Sequence, residues 1–131
     1  MTNEELMALA VSARENSYCK YSGFAVGAAL LAKSGKVYVG CNVENASFSP
    51  TCCAERTAFF SAIAAGEKEF LAIAVCGGKK NAARELCTPC GVCRQVMSEF
   101  CSKDFPVLLE GKDTDVITIK LGELLPFAFD M

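Results

Sequence analysis

Histidine is absent from the 131-residue sequence, so a metal site in this chain would depend on cysteine thiolates. No apolar run reaches the ~18 residues that a membrane-spanning helix requires, because glycine, lysine or serine interrupts the longest candidates. The first residues are polar and lack the basic-then-apolar order of a signal peptide. We therefore expect a cytoplasmic protein with no membrane segment.

The net charge of the sequence is −2. Lysine and arginine are scattered along it, so positive charge is not concentrated in any one segment. Proteins that bind nucleic acids usually gather positive charge on one face, so the pattern favours a small, neutral substrate and no nucleic-acid partner. Repeats, linkers and low-complexity segments are also missing, and the length predicts one domain over residues 1–131. The apolar fraction of 52% favours burial of some apolar surface between subunits.

Cysteine, by contrast, is abundant. The sequence has nine cysteines, an odd number, and no export signal, which together argue against a disulfide scaffold. Thiols used for metal binding or for packing in a reducing compartment fit better. Cys19, Cys41, Cys76 and Cys101 are predicted to be small core residues, because free cysteine is usually buried.

The hydrophobic pattern predicts the element order α-β-β-α-β-α-β-β, which indicates an α/β fold with one mixed sheet covered by helices. Ser34 and Gly35 are typical of a tight hairpin turn, and Gly66 is typical of the residue that follows a helix. Thr88 can cap the last long helix and Pro89 can begin it. The predicted helices cover residues 2–16, 53–65 and 89–101; the predicted strands cover residues 24–31, 36–43, 70–76 (ended by a Gly-Gly pair), 106–109 and 116–121, and one helical turn covers 122–125.

Two segments carry the residues of a candidate metal site, 53–56 (CAER) and 87–95 (CTPCGVCRQ). If Pro89 lies in the first turn of a helix, Cys90 and Cys93 lie one turn apart on one face and can bind a single ion. Cys53 is predicted to be the third ligand, and the Glu55 carboxylate can then reach the open position without ligating. Three ligands, an open position and a base are what a catalytic zinc site needs, so we expect Zn²⁺ as the cofactor.

The same cysteines allow other interpretations. Cys52 or Cys87 could supply a fourth ligand and close the site, and a redox Cys-x-x-Cys pair would need neither a third thiol nor Glu55. Three thiolates around Zn²⁺ leave one formal negative charge, which weakens the activation of water. Two helix N-termini and the Arg56 guanidinium are predicted to withdraw that charge, and Arg94 is a second candidate for hydrogen bonds to the thiolates.

The segments 53–58 (CAERTA) and 89–95 (PCGVCRQ) resemble cytidine deaminase, specifically the short homotetrameric type with three cysteine ligands. The resemblance covers nearly the whole chain and includes residues 21–30 (YSGFAVGAAL), 40–46 (GCNVENA) and 123–126 (ELLP). The zinc motif alone specifies the deaminase superfamily, whereas residues 42–45 (NVEN) narrow the match to nucleoside deaminases. The family implies a three-layer α/β sandwich with a mixed, mostly five-stranded sheet.

The resemblance also implies roles for the residues around the metal. Phe24 would pack against the pyrimidine ring, and Asn42 and Glu44 would hydrogen-bond the ribose hydroxyls. Ala54 would offer backbone groups to the base, and Glu55 would be the proton shuttle. By pattern alone, Phe24 is typical of a strand core, and Asn42 and Glu44 of a turn. Only their joint occurrence favours the functional interpretation.

The family completes each pocket with residues of neighbouring subunits, which implies a homotetramer. Phe129, by its spacing after the segment ELLP, matches an aromatic residue that the family uses in this way, although a plain C-terminal anchor is the alternative. The sequence departs from the family at Lys20, where proline is usual, and at Phe48, where tyrosine is usual. A third departure is Phe127, where a small residue is common.

The implied activity is hydrolytic, zinc-dependent deamination of cytidine and 2′-deoxycytidine to uridine and 2′-deoxyuridine, with release of ammonia, in pyrimidine salvage. Three alternatives remain at this stage. They are a deaminase that edits nucleic acids, a non-catalytic domain stabilised by zinc, and a deaminase of a cytosine-containing antibiotic. The pairing of Asn42 with Glu44 favours a ribose over the antibiotic.

Overall fold

A computed structural model of the chain describes residues 1–111 and 113–131. The helices are α1 (Asn3–Ala13), continued by a 3₁₀ turn (Arg14–Asn16), α2 (Ala54–Ala64), α3 (Gly91–Phe100) and α4 (Leu121–Leu124). The strands are β1 (Phe24–Ala32), β2 (Val37–Cys41), β3 (Phe70–Lys79), β4 (Pro106–Glu110) and β5 (Val116–Lys120). The predicted element order is confirmed.

The five strands form one sheet in the order β2-β1-β3-β4-β5. β3 and β4 are parallel, and the other neighbouring strands are antiparallel, so the sheet is mixed as predicted. The parallel pair requires a crossover connection, which is supplied by α3. Its N-terminus therefore lies beyond the carboxyl end of β3, on the side of the sheet that α2 also covers.

Helices cover both faces of the sheet, which gives the predicted three layers. On one face, Leu6 and Met7 of α1 pack in a cluster with Leu108 of β4. On the other face, Phe59 of α2 and Met97 of α3 are fully buried in a larger cluster with residues of β1, β3 and β4. This second core fixes the two helices that carry the candidate metal ligands. None of the helices within the described ranges has both the length and the apolar character needed to cross a membrane.

Two turn predictions are confirmed by backbone angles. Gly35, in the turn between β1 and β2, has φ +94°, and Gly66, after α2, has φ +95°. Both values lie in the left-handed region that glycine adopts without steric cost. The turn joins the antiparallel strands β1 and β2, and Gly66 follows the last turn of α2.

Several boundaries differ from the prediction by one to three residues, and two of the differences concern the candidate site. α3 begins at Gly91, with Cys90 as its N-cap, so neither Thr88 nor Pro89 has the predicted position. β3 runs on through the Gly77-Gly78 pair to Lys79, which pairs with Phe24. The glycines do not end the strand. A Cβ on Gly77 would lie 2.8 Å from Cys87 Sγ, and one on Gly78 2.8 Å from Arg84 Cα, so the pair allows the following segment to approach closely.

Candidate metal centre

Three cysteine thiols converge at the N-termini of two helices. Cys53 is the N-cap of α2, Cys90 is the N-cap of α3, and Cys93 lies one turn into α3. The Sγ atoms of Cys53 and Cys90 are 3.8 Å apart, those of Cys90 and Cys93 are 3.5 Å apart, and all three lie within 4.8 Å of one another. Tetrahedral zinc with Zn–S bonds near 2.3 Å separates its sulfurs by about 3.8 Å, so the donor set fits such an ion.

The two other cysteines considered as ligands lie outside this cluster. Among residues 1–111 and 113–131, the group of metal-binding side chains that converge here has three members, Cys53, Cys90 and Cys93. Cys52 and Cys87 line the adjacent cavity instead. Burial raises the pKa of Cys52 and raises that of Cys87 to about 12. The geometry favours a site with an open fourth position over a closed four-cysteine site.

Arg56 contacts the cluster from the first turn of α2. Its Nη2 donates to Cys53 Sγ at 3.2 Å. Hydrogen bonds from the Cys93 thiol and from Arg56 lower the pKa of Cys53, against the effect of burial. Arg56 Nε is buried and, within the described part of the chain, lacks a hydrogen-bond partner. A cation with a spare donor thus stands beside the sulfurs, which suits a centre that carries excess negative charge.

The structure places Arg94 elsewhere than we expected. Its Nε donates to the Pro89 carbonyl at 2.7 Å, and its Nη1 donates to the Leu124 carbonyl at 2.6 Å. The guanidinium therefore joins the segment before Cys90 to α4 and does not hydrogen-bond a sulfur. The prediction failed because residue spacing says which face of a helix a side chain occupies and not which acceptor it finds.

Glu55 lies in the first turn of α2, two residues after Cys53, and only 4% of it is exposed. Burial raises the pKa of the Glu55 carboxyl to about 7. It lines the same cavity as Cys53 and Cys90 but is not a member of the sulfur cluster. A buried carboxyl beside an open metal position can accept and later donate a proton.

A cavity of about 240 Å³ adjoins the cluster, and the remaining residues predicted to bind a ligand, except Phe129, gather there. Phe24 and Asn42 line it from the start of β1 and from the end of β2, and Ala54 lines it from the first position of α2. Glu44 lines it from the loop that follows β2. The described lining consists of Ser22, Phe24, Val26, Asn42, Glu44, Thr51, Cys52, Cys53, Ala54, Glu55, Cys87, Thr88 and Cys90.

Ser22, for which the sequence predicts no role, holds the Glu44 carboxylate. The backbone N–H groups of Tyr21 and Ser22 donate to Glu44 Oε1 at 2.9 and 3.0 Å, and the Ser22 hydroxyl donates to Oε2. The hydrogen bond from Ser22 lowers the pKa of the Glu44 carboxyl. Ser22 belongs to a segment that resembles the family, but its link to Glu44 spans 22 positions and has no signature in local spacing.

The aromatic residues near the C-terminus are not brought to the cavity of their own chain. Phe129 is 69% exposed and lies against α3, where Gln95 Nε2 donates to its carbonyl at 3.2 Å. Phe127 is fully exposed and has a positive φ angle.

The two other positions at which the sequence departs from the family are exposed as well. Phe48 is 76% exposed and has a positive φ angle. Lys20 is exposed, with its Nζ 5.7 Å from the centre of the Tyr21 ring.

Comparisons with known proteins agree with this geometry. A family model described as the cytidine and deoxycytidylate deaminase zinc-binding region matches residues 1–109. The cytidine deaminase of Sporosarcina psychrophila is 46% identical over 129 residues, which cover 98% of this chain and 92% of that protein. A crystal structure of the cytidine deaminase from Burkholderia pseudomallei superposes with a TM-score of 0.89, at 50% identity over 98% of this chain and 100% of that one. The chain therefore belongs to the cytidine deaminase family.

Proposed function

We propose that this protein hydrolyses cytidine and 2′-deoxycytidine to uridine and 2′-deoxyuridine, with release of ammonia. One observation carries the proposal. A three-thiol cluster with an open fourth side adjoins the buried carboxyl of Glu55, which is not one of its members, at a cavity that both line. Hydrolytic deamination needs an activated water and a group that moves protons between that water and the ring, and these residues supply the place for both.

The residues of the chain divide the chemistry between them. Cys53, Cys90 and Cys93 would hold the metal, and zinc, when bound, would act as a Lewis acid toward the attacking water. Glu55 accepts a proton from the water that attacks C4 and delivers it to N3 of the ring. It then conducts a proton to the departing 4-amino group, which leaves as ammonia. Arg56 offsets the negative charge of the thiolates through Cys53.

Substrate recognition is assigned to the residues across the cavity. Phe24 packs against the pyrimidine ring, and the backbone of Ala54 hydrogen-bonds the base. Asn42 and Glu44 bind ribose hydroxyls, and this binding energy positions C4 next to the attacking water. Both nucleosides keep the 3′- and 5′-hydroxyls. The pair also supports a nucleoside substrate over a cytosine-containing antibiotic.

Zinc is the metal that the donor set supports best. Three thiolates at nearly tetrahedral spacing suit Zn²⁺, whereas Mg²⁺ and Ca²⁺ require oxygen ligands. All nine cysteines are free thiols in this structure, which supports a reducing, cytoplasmic location. Conversion of a cytosine nucleoside to a uracil nucleoside supports a role in pyrimidine salvage.

A homotetramer with shared pockets would explain the exposed aromatic residues. Phe129 lies outside the cavity of its own chain and is exposed, so it is free to complete the cavity of a neighbour. Phe48 and Phe127 are also exposed, which supports their burial between subunits. Light scattering of the purified protein tests this assembly, and a monomeric mass would exclude the shared pocket.

The activity itself is tested by adding the purified, zinc-loaded protein to cytidine and following the ultraviolet spectrum of the nucleoside. We expect conversion to uridine with one ammonia released per cytidine. The same assay with a cytidine-containing RNA oligomer distinguishes nucleoside deamination from nucleic-acid editing. Conversion of the oligomer without conversion of free cytidine would overturn the proposal, as would inactivity on both.

A further inference from the structure

The Asn42 side chain is fixed by contacts with three residues, one that follows α1 and two in β1. Its Oδ1 accepts from the Ser17 hydroxyl and, at 2.9 Å, from the Val26 N–H. Its Nδ2 donates to the Phe24 carbonyl at 2.8 Å. Because a carbonyl only accepts and a backbone N–H only donates, Phe24 and Val26 settle which end of the amide is which. One hydrogen of Nδ2 is left for a ligand in the cavity that Asn42 lines.

Ser17 stands behind Asn42 and is not among the residues that line the cavity. It follows the 3₁₀ turn that ends α1, and it is 8% exposed. The backbone of the same segment also holds Asn42, since the Tyr18 N–H donates to the Asn42 carbonyl at 3.0 Å. Ser17 thus links the end of α1 to the amide without a position from which to contact substrate.

Loss of the Ser17 hydroxyl would leave Asn42 Oδ1 with the Val26 N–H as its remaining donor in the site. The buried oxygen would then have an unfilled acceptor position, and rotation of the amide or entry of a water would become easier. Either change would move the free Nδ2 hydrogen relative to the cavity. The Phe24 carbonyl, which the same amide holds, would lose part of its anchor as well.

We propose that Ser17 is a positioning residue for ribose recognition, and that it holds the Asn42 amide in the orientation in which Nδ2 donates to the 3′-hydroxyl of the nucleoside. The 2′-hydroxyl is excluded because 2′-deoxycytidine lacks it and the ribose contact must serve both substrates. Of the two hydroxyls that both substrates keep, the 3′-hydroxyl is attached to the sugar ring, whereas the 5′-hydroxyl is on a rotatable exocyclic carbon, so a fixed donor such as Asn42 Nδ2 suits the 3′-hydroxyl. This inference rests on the proposed function. Ser17 acts through Asn42 and moves no proton, so its effect falls on substrate binding.

The test compares wild type with Ser17→Ala on two substrates that differ by one group. On 2′-deoxycytidine we expect KM to rise roughly fivefold to tenfold with kcat nearly unchanged, the size of one hydrogen bond. On 2′,3′-dideoxycytidine, which lacks the 3′-hydroxyl, the two proteins should differ less than twofold in kcat/KM. An equal loss on both substrates, or a loss in kcat alone, would overturn the inference.

Two further variants separate positioning from general damage to the fold. Ser17→Thr keeps the hydroxyl and should restore most of the affinity. In an Asn42→Ala background, Ser17→Ala should have no further effect on KM. If Ser17→Ala has wild-type KM while the wild type is active, the inference fails and the proposed function stands. An inactive, zinc-loaded wild type would refute both.

Discussion

Arg56 donates from Nη2 to the Cys53 sulfur across one turn of α2, at 3.2 Å. The two residues lie three positions apart, so the helix itself sets the contact. It matters because three thiolates around a divalent metal carry one more negative charge than the metal neutralises. A guanidinium on one sulfur reduces that charge at the ion, and with it the loss of Lewis acidity.

Removal of this guanidinium should weaken both metal retention and turnover. We expect Arg56→Ala to release zinc to a chromophoric chelator about 10- to 100-fold faster than wild type and to lower kcat by a similar factor. Arg56→Lys keeps the positive charge, so its rate of zinc release and its kcat should lie between those of wild type and Arg56→Ala. Wild-type zinc release and kcat in Arg56→Ala would remove Arg56 from the centre.

Substitution of Glu55 should impair the reaction without impairing metal binding. Glu55→Gln keeps the size of the buried side chain and removes the proton acceptor, so we expect full zinc content with kcat reduced at least ~100-fold. Zinc content by chelator titration and the rate of cytidine conversion check the two halves separately. A variant that turns over at the wild-type rate would contradict the role of Glu55 as proton shuttle.

The cysteines offer a matched pair of substitutions. Cys90 belongs to the sulfur cluster, whereas Cys87 is three residues earlier and lines the cavity. Cys90→Ser should reduce the zinc content of the purified protein to well below one ion per chain, because serine replaces a thiolate with a weak neutral ligand. Cys87→Ser should keep its zinc. The reverse result would restore Cys87 as a ligand.

The contact between α2 and β2 should tolerate no added methyl group at Gly40. A Cβ there would overlap the Ala54 carbonyl and the Thr57 hydroxyl and would lie 2.6 Å from the Ala58 nitrogen. We expect Gly40→Ala to lower the free energy of unfolding by about 2–3 kcal/mol, since α2 must shift. Urea denaturation of the zinc-loaded protein measures this change in the free energy of unfolding.

Gly91 is the control for this substitution. It begins α3, and a Cβ there would meet no atom within 4 Å. Gly91→Ala should therefore match wild type within about 0.5 kcal/mol or be slightly more stable, because alanine favours helix. Equal destabilisation by both substitutions would show that the cost of Gly40→Ala does not come from the α2 contact.

Prediction from the sequence worked best where local pattern decides the outcome. The order of helices and strands follows from hydrophobic periodicity and turn residues, and it is confirmed. The predicted end of β3 is wrong because local propensity alone makes Gly77 and Gly78 the end of a strand, whereas β3 continues to Lys79. In the fold the full length of β1 pairs with β3, and these glycines allow residues 84–87 to lie close to it. That one domain covers residues 1–131 stays a prediction.

The contacts of the metal centre also divide into those that local spacing predicts and those that depend on the tertiary fold. Cys90 and Cys93 lie three positions apart, at the N-cap and in the first turn of α3, so the local backbone brings their sulfurs together. The contacts of Arg94 with Leu124, of Ser22 with Glu44, and of Ser17 with Asn42 span 22 to 30 positions. The spacing of these residues along the sequence does not predict such contacts.

Residue types and short spacings were thus enough for the fold class, for the Cys90–Cys93 pair and for the acid two residues after Cys53, because each depends on interactions within a few residues. The assembled sheet and helices were needed to bring Cys53 within 3.8 Å of Cys90, to leave Cys52 and Cys87 out of the cluster and to turn the Asn42 amide toward Phe24. The reason is physical. Contacts between distant segments depend on how whole elements pack, and a side chain takes the partners that this packing brings within reach.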